Sequence, residues 1–275
     1  MADGQSLFDL TGKTAVITGG SGVLGFAMAQ GLAGVGASVV LIGRNPEKLA
    51  EKTEALTSAG ARAMGIAADV LDEKNLGKAA VTIRDAFGGV DILINSAGGN
   101  RPGAVINPDQ DFFRDLDIEA FRQVHALNLD GTLLPTLVFA RSMAEQGRGS
   151  IINISSMASQ RAITRVMGYS AAKAAVDNFT RWMAVEMAHK YGEGVRVNAI
   201  APGFFLTEQN RALLTNPDGS LTSRAKTILA MTPFKRFGKP EELMGTAIWL
   251  ASEASAFVSG TVIPVDGAFS AFSGV

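Results

Sequence analysis

Residues 150–173 read SIINISSMASQRAITRVMGYSAAK, and they carry the side chains best suited to a reaction. Tyr169 and Lys173 are four apart, a spacing that stacks them on one face of a helix. An apolar run before them ends in Ser155 and Ser156, as a strand would deliver hydroxyls to its carboxyl end. A phenol can give or take a proton, but its ordinary pKa of about 10 hinders exchange at neutrality. A cation one turn away favours the phenolate and lowers that value. The set predicts a site that grips a carbonyl or alcohol oxygen. Tyr169 would move its proton, and Ser156 would hydrogen-bond the same oxygen. Tyr-x-x-x-Lys alone more often marks a partly exposed helix face, so the reading needs support from the rest of the chain.

The elements that must position these groups alternate between strand and helix. A short apolar run over 13–17 predicts a buried first strand. Residues 18–25, TGGSGVLG, follow it and lead into a helix over 26–33. Strand, glycine turn and helix form a phosphate cradle: glycines admit a pyrophosphate to the backbone, and a helix N-terminus offers free N–H groups. Gly19, Ser21, Gly22, Val23, Leu24 and Gly25 are the expected contacts. The second strand, 38–42, ends in Gly43, Arg44 and Asn45, where an acidic residue would hold the ribose of NAD. No carboxylate stands there to repel a 2′-phosphate, and Arg44 offers it a guanidinium. NADP(H) is therefore favoured over NAD(H), although Arg44 stacked on adenine or simply solvated is an alternative.

Further on, a helix is expected over 46–59, a strand over 63–68, and a helix to 87 capped by Asp72. Asp69, with Val70 beside it, is expected at the adenine. The strand 91–95 ends in Asn95 and the small residues Ala97 and Gly98, again suited to close cofactor approach. A polar loop over 100–117 lies where substrate pockets form. Leu127, Asn128 and Leu129 open a predicted helix to 146; an asparagine amid apolar residues, Asn128 must bind backbone or water, or relay protons from Lys173. A strand over 195–200 is broken by Pro202 and Gly203. With Thr207, these are placed to meet the nicotinamide carboxamide. Residues 207–232 read as a lid of short helices around 216–219, before a helix over 240–251 and a last strand over 261–265. The pattern predicts a doubly wound parallel α/β sheet with right-handed crossovers, in a single domain over 1–275. Its substrate loops are expected at about 99–117 and 204–235.

Composition bounds the rest. Of 275 residues, 47% are hydrophobic and 19% charged, which fits a globular chain with a sizeable core. The net charge of −1 gives no electrostatic case for nucleic acid or an anionic membrane. There are no cysteines, so disulfides and thiolate metal sites are excluded, and no metal is expected. The stretch 14–43 is uncharged, but eight glycines interrupt it, so it is not read as a membrane span. The first ten residues lack the basic and apolar regions of a signal peptide, and a cytoplasmic location is expected.

In this order, residues 18–25, Asn95 to Gly98, Asn128, Ser156, Tyr169, Lys173 and Pro202 to Thr207 resemble the short-chain dehydrogenase/reductase family. The likeness spans roughly residues 8–268. It implies a Rossmann fold of seven parallel strands in the order 3-2-1-4-5-6-7. It also implies a Ser–Tyr–Lys–Asn tetrad at Ser156, Tyr169, Lys173 and Asn128, and a homotetramer built partly on the helix of Tyr169. One departure stands out: the family turn is TGxxxGxG, and Val23 holds its middle glycine, with Gly22 one residue earlier. A narrower likeness, in 97–100, 203–210 and the tail 269–275, is to the family's D-mannonate oxidoreductase (fructuronate reductase) branch, which acts on sugar acids. A sugar-acid carboxylate needs cations and amide donors. Asn100, Arg101, Arg161, Arg165, Gln209 and Asn210 are the candidates for it. The tail around Phe269 is expected either at a subunit contact or over its own pocket.

Overall fold

The structure is a computed structural model. It describes residues 4–274, without the side chains of Glu208, Gln209 and Ala212. Its seven strands, β1 (Thr14–Thr18), β2 (Ser38–Gly43), β3 (Ala63–Ala67), β4 (Ile92–Asn95), β5 (Gly149–Ile154), β6 (Val195–Pro202) and β7 (Val262–Val265), form one sheet in the order β3-β2-β1-β4-β5-β6-β7. Every pairing is parallel. The central strands are buried along their whole length, as continuous apolar runs require when helices cover both faces.

Successive side chains of a strand point to opposite faces, and the cores divide accordingly. Ile17, Leu41, Ile94 and Ile152 pack under α1 (Val23–Gly34) and α9 (Met244–Ala251). Their neighbours Val16, Val40, Leu93 and Ile151 pack on the other face, against α3 (Glu73–Phe87), α5 (Ile118–Gln146) and α6 (Met167–Tyr191). Strand order reverses between β1 and β4, which opens a crevice at their carboxyl ends, where ligands of such sheets bind.

Local signals explain most boundaries. Asn45 caps α2 (Pro46–Ser58), Asp72 caps α3, and Gly88 at φ +87° ends α3. Several boundaries differ from expectation: α1 starts at Val23 rather than Phe26, and a 3-10 turn over 240–243 precedes α9. The helix α5 begins nine residues before Leu127, at Ile118, because Asp117 Oδ1 accepts from Glu119 N (2.9 Å) and Ala120 N (3.1 Å). The loop over 100–117 contains the single turn α4 (Phe112–Asp115). Strand β6 runs through Pro202, its last residue, rather than ending at Ile200. The lid has the expected form: α7 (Glu208–Leu214), a turn at 216–220, and α8 (Ser223–Met231). No helix among the described residues is long and apolar enough to cross a membrane.

Candidate active site

The glycine turn is packed too closely for side chains. A β-carbon on Gly19 would lie 2.9 Å from Ala97 Cα, and Gly19 adopts φ +64°. One on Gly25 would lie 2.5 Å from Gly19 O. Thr18 Oγ1 accepts from Ser96 N (3.1 Å) and Ala97 N (3.2 Å), fastening the exit of β4 to this turn. The departure at Val23 has a local solution. Gly22 N bonds Gly19 O at 2.9 Å, Gly22 becomes the N-cap, and Val23 is the first residue of α1. No side chain caps α1, so the first-turn N–H groups of Val23, Leu24 and Gly25 lack helical partners. A tight glycine floor beside an uncapped helix N-terminus fits a pyrophosphate. Ser21 Oγ lies 3.0 Å from where a β-carbon of Gly43 would stand, at the end of β2.

The residues expected at the adenosine divide. Arg44 is exposed. Asn45 uses its Oδ1 to cap α2 through Lys48 N (3.0 Å). Asp69 Oδ1 accepts from Leu71 N (3.0 Å), and Val70 is buried against Gly131. Asn95 is buried, and its Nδ2 donates to Thr136 Oγ1 and Asn153 Oδ1, each at 2.9 Å. Its Oδ1 has no hydrogen-bond partner among the described residues.

Ser156, Tyr169 and Lys173 meet across this crevice. Ser156 leaves β5 with its Oγ accepting from Ala158 N (3.1 Å) and hydrogen-bonded to the Tyr169 hydroxyl. The Tyr169 ring packs on Ala104, Ala120 and Val124. Lys173 is only 3% exposed, donates to Ile154 O at 2.7 Å, and sits 5.6 Å from the Tyr169 ring centroid. A β-carbon on Gly98 would stand 2.6 Å from Asn128 Oδ1 and 3.3 Å from Lys173 Nζ. The glycine-lined floor and the proton-handling residues therefore share a wall.

The expectation for Tyr169 is corrected here, and Asn128 takes the backbone-bonding alternative. Burial pushes the Tyr169 phenol above its ordinary pKa, opposed by the Ser156 bond, so the acidification expected from Lys173 does not prevail. The larger effect falls on Lys173, which burial pulls down to about 8, while the Asp177 carboxylate resists. Asn128 is fully buried, but its side chain is committed to backbone. Its Nδ2 donates to Gly99 O (2.8 Å) and Val124 O (2.7 Å), and its Oδ1 accepts from Gly99 N (3.1 Å). It fixes the loop after β4 rather than presenting a free amide for a proton relay.

Asp177 escaped the sequence reading. It is 4% exposed and hydrogen-bonded by Ser155 Oγ and by Ser159 Oγ, the latter at 2.7 Å. Ser159 Oγ also lies 2.7 Å from Ser156 O, so the carboxylate ties the Ser156 loop to the catalytic helix. The signal was present: 169, 173 and 177 continue one helical stripe.

The remaining candidates separate by what already occupies them. Gly203 packs on Asp266 and donates to Val265 O at 2.9 Å, with buried Pro202 before it. Thr207 and Asn210 form a capping box, with Thr207 N to Asn210 Oδ1 at 2.8 Å; Asn210 Nδ2 bonds Phe205 O at 2.7 Å. Asn210 is thus spent on building the lid. The side chain of Gln209 lies outside the described residues. Asn100 accepts from Arg101 N (3.0 Å), and the Arg101 guanidinium bonds Gln123 Oε1 (2.6 Å). Arg161 holds Ser270 O of the tail, and Phe269 packs edge-on against Phe204 of the lid at 5.2 Å. The tail therefore covers its own lid. Arg165 remains half-buried, with φ +78° and its carbonyl bonded by Ile106 N.

Comparison with known proteins agrees with this geometry. A family model described as enoyl-(acyl carrier protein) reductase matches residues 20–270. An uncharacterized oxidoreductase, UxuB, of Bacillus subtilis is 50% identical over 97% of this chain and 98% of its own length. A crystal structure from Haemophilus influenza, provisionally named a D-mannonate oxidoreductase and holding NAD, superposes with a TM-score of 0.91 at 42% identity, covering 99% of this chain and 100% of that one. A Burkholderia cenocepacia gluconate 5-dehydrogenase in complex with NADP and tartrate gives 0.87 at 34% identity, covering 98% of this chain and 100% of that one. The chain belongs to the short-chain dehydrogenase/reductase family and is an NAD(P)-dependent oxidoreductase of that family.

Proposed function

We propose that this protein interconverts a sugar acid and its keto form, with D-mannonate and D-fructuronate as the leading pair. The observation that carries the reading is the wall at Gly98, shared by the dinucleotide cradle and Lys173. The bound nicotinamide supplies or accepts the hydride. The protein's own residues handle the oxygen and its proton. Ser156 polarises the substrate oxygen, and Tyr169 protonates it in reduction. The Tyr169 phenol is protonated at neutral pH, and the Ser156 bond opposes the burial that makes it a weaker acid. Lys173, with a pKa of about 8, remains mostly cationic at pH 7 and stabilises negative charge arising on Tyr169. Asn128 and Asp177 hold the backbone around them. NADP(H) is the favoured cofactor, supported by exposed Arg44 and by the absence of a carboxylate at 43–45. The sugar-acid assignment draws support from similarity to the proteins provisionally named or named for mannonate and gluconate.

A second reading, gluconate as the alcohol, is favoured by the tartrate-bound relative. The test is a steady-state panel with NADPH and NADH on D-fructuronate, 5-keto-D-gluconate, D-fructose and an acetoacetyl thioester. The highest kcat/KM is expected for D-fructuronate with NADPH. A higher value for 5-keto-D-gluconate supports the second reading. Tight cofactor binding with no turnover of any carbonyl points to a redox sensor instead. Self-association is part of the proposal: Leu137 on α5 and Trp182 and Val185 on α6 are each more than half exposed, an apolar face suited to a tetramer contact.

A further inference from the structure

Two arginines, Arg165 from the loop ahead of Tyr169 and Arg224 from α8, come from segments that meet at Thr164. Arg165 lies four residues before Tyr169. Arg224 comes from α8 and reaches the same loop, donating to Thr164 Oγ1 and Thr164 O, both at 3.3 Å. Those bonds are long, and they use a small part of a donor set of five N–H groups. Neither arginine has a carboxylate partner among the described residues. Both are half-buried. The other candidates are already engaged, Arg101 by Gln123 and Arg161 by the tail carbonyl of Ser270.

Three costs accumulate at this point. Burial and the nearby charge of Arg165 both disfavour the cation of Arg224. Arg224 occupies the second position of α8, where the helix dipole opposes a positive charge. Arg165 has left-handed backbone, uncommon for a residue with a side chain and frequent at ligand clamps. A single anion between the two guanidiniums would relieve the repulsion and oppose the dipole cost. A planar carboxylate matches the guanidinium fork.

We propose that Arg165 and Arg224 together form the carboxylate subsite, gripping the acid end of the substrate between lid helix α8 and the loop that leads to Tyr169. This rests on the sugar-acid reading, and it selects one of the three arginines singled out in the sequence and adds one that was not.

The test compares wild type with Arg165→Asn, Arg224→Gln and Arg224→Lys. Asparagine is chosen at 165 because it tolerates left-handed backbone. KM and kcat are measured for D-fructuronate and 5-keto-D-gluconate against neutral D-fructose, with sodium sulfate as a second probe read by thermal midpoint without cofactor. The expectation is a KM for the acids raised about tenfold or more in Arg165→Asn and Arg224→Gln. The KM for D-fructose should stay unchanged, Arg224→Lys should show a smaller loss, and the rise in thermal midpoint with sulfate should be larger in wild type than in Arg165→Asn or Arg224→Gln, over the general stabilisation that sulfate gives every variant. Equal losses on charged and neutral substrates, or unchanged KM for the acids, would overturn the subsite. If wild type turns over only neutral carbonyls, the sugar-acid reading fails. The sulfate comparison then still decides the anion site: a wild-type excess of sulfate protection over both variants supports it, and equal protection in all three overturns it. Should Arg224→Gln fail to fold, Arg165→Asn carries the test.

Discussion

Asp177 follows Lys173 by one helical turn, and its buried carboxylate is the charge that opposes the desolvation of that lysine. The same carboxylate takes the hydroxyls of Ser155 and Ser159, on either side of Ser156. One side chain thus bears on both the charge of Lys173 and the position of Ser156.

Asp177→Asn keeps the shape and removes the charge. Lys173 should then lose its proton below its present pKa of about 8. The alkaline limb of carbonyl reduction should move towards lower pH by on the order of one unit. A purely structural role predicts lower kcat with the limb unmoved, and Asp177→Glu should return the limb towards its original place. The pH profile of kcat/KM for reduction distinguishes these outcomes.

Gly98→Ala probes the shared wall. The added methyl would stand 2.6 Å from Asn128 Oδ1 and 3.3 Å from Lys173 Nζ. Something must shift, at a cost of about 1–3 kcal/mol. We expect a lowered thermal midpoint and cofactor affinity weakened about tenfold or more, read by NADPH fluorescence titration. Unchanged affinity would separate the glycine floor from the cofactor.

Much of this site was legible because each signal was local. The helix α3 was bounded by Asp72 and Phe87 in the sequence, since the cap and the periodicity lie in one window. The sheet order followed from the ordered motifs together. Most of what escaped depended on distant partners. The onset of α5 was missed although residues 118–126 carry Ile118, Phe121 and Val124 at helical spacing after the Asp117 cap. Asn210 read as a substrate donor until its capping-box partner and the Phe205 carbonyl were in place. Arg224 gave no signal, because nothing in the lid sequence reveals Thr164 and Arg165 across from it.

The proposed preference for NADP(H) rests on Arg44. Arg44→Glu replaces a cation with a carboxylate at the end of β2, where it would repel a 2′-phosphate and accept from ribose hydroxyls. We expect the NADPH/NADH ratio of kcat/KM to fall about tenfold or more. An unchanged ratio would leave Arg44 as a solvated loop residue.

Trp182 is 59% exposed on α6, next to Val185 at 57%. The proposed tetramer contact predicts that Trp182→Glu gives smaller species than wild type in light scattering. A wild-type monomer, or a variant with unaltered mass, would contradict an assembly through this face.

The central claim is that the Tyr169 hydroxyl supplies the proton in the hydride-transfer step. Tyr169→Phe removes that one oxygen, and the direct measurement pairs its kcat with its NADPH dissociation constant. The account predicts turnover reduced about a thousandfold or more, with the dissociation constant within about threefold of wild type. Turnover within about tenfold of wild type would contradict it.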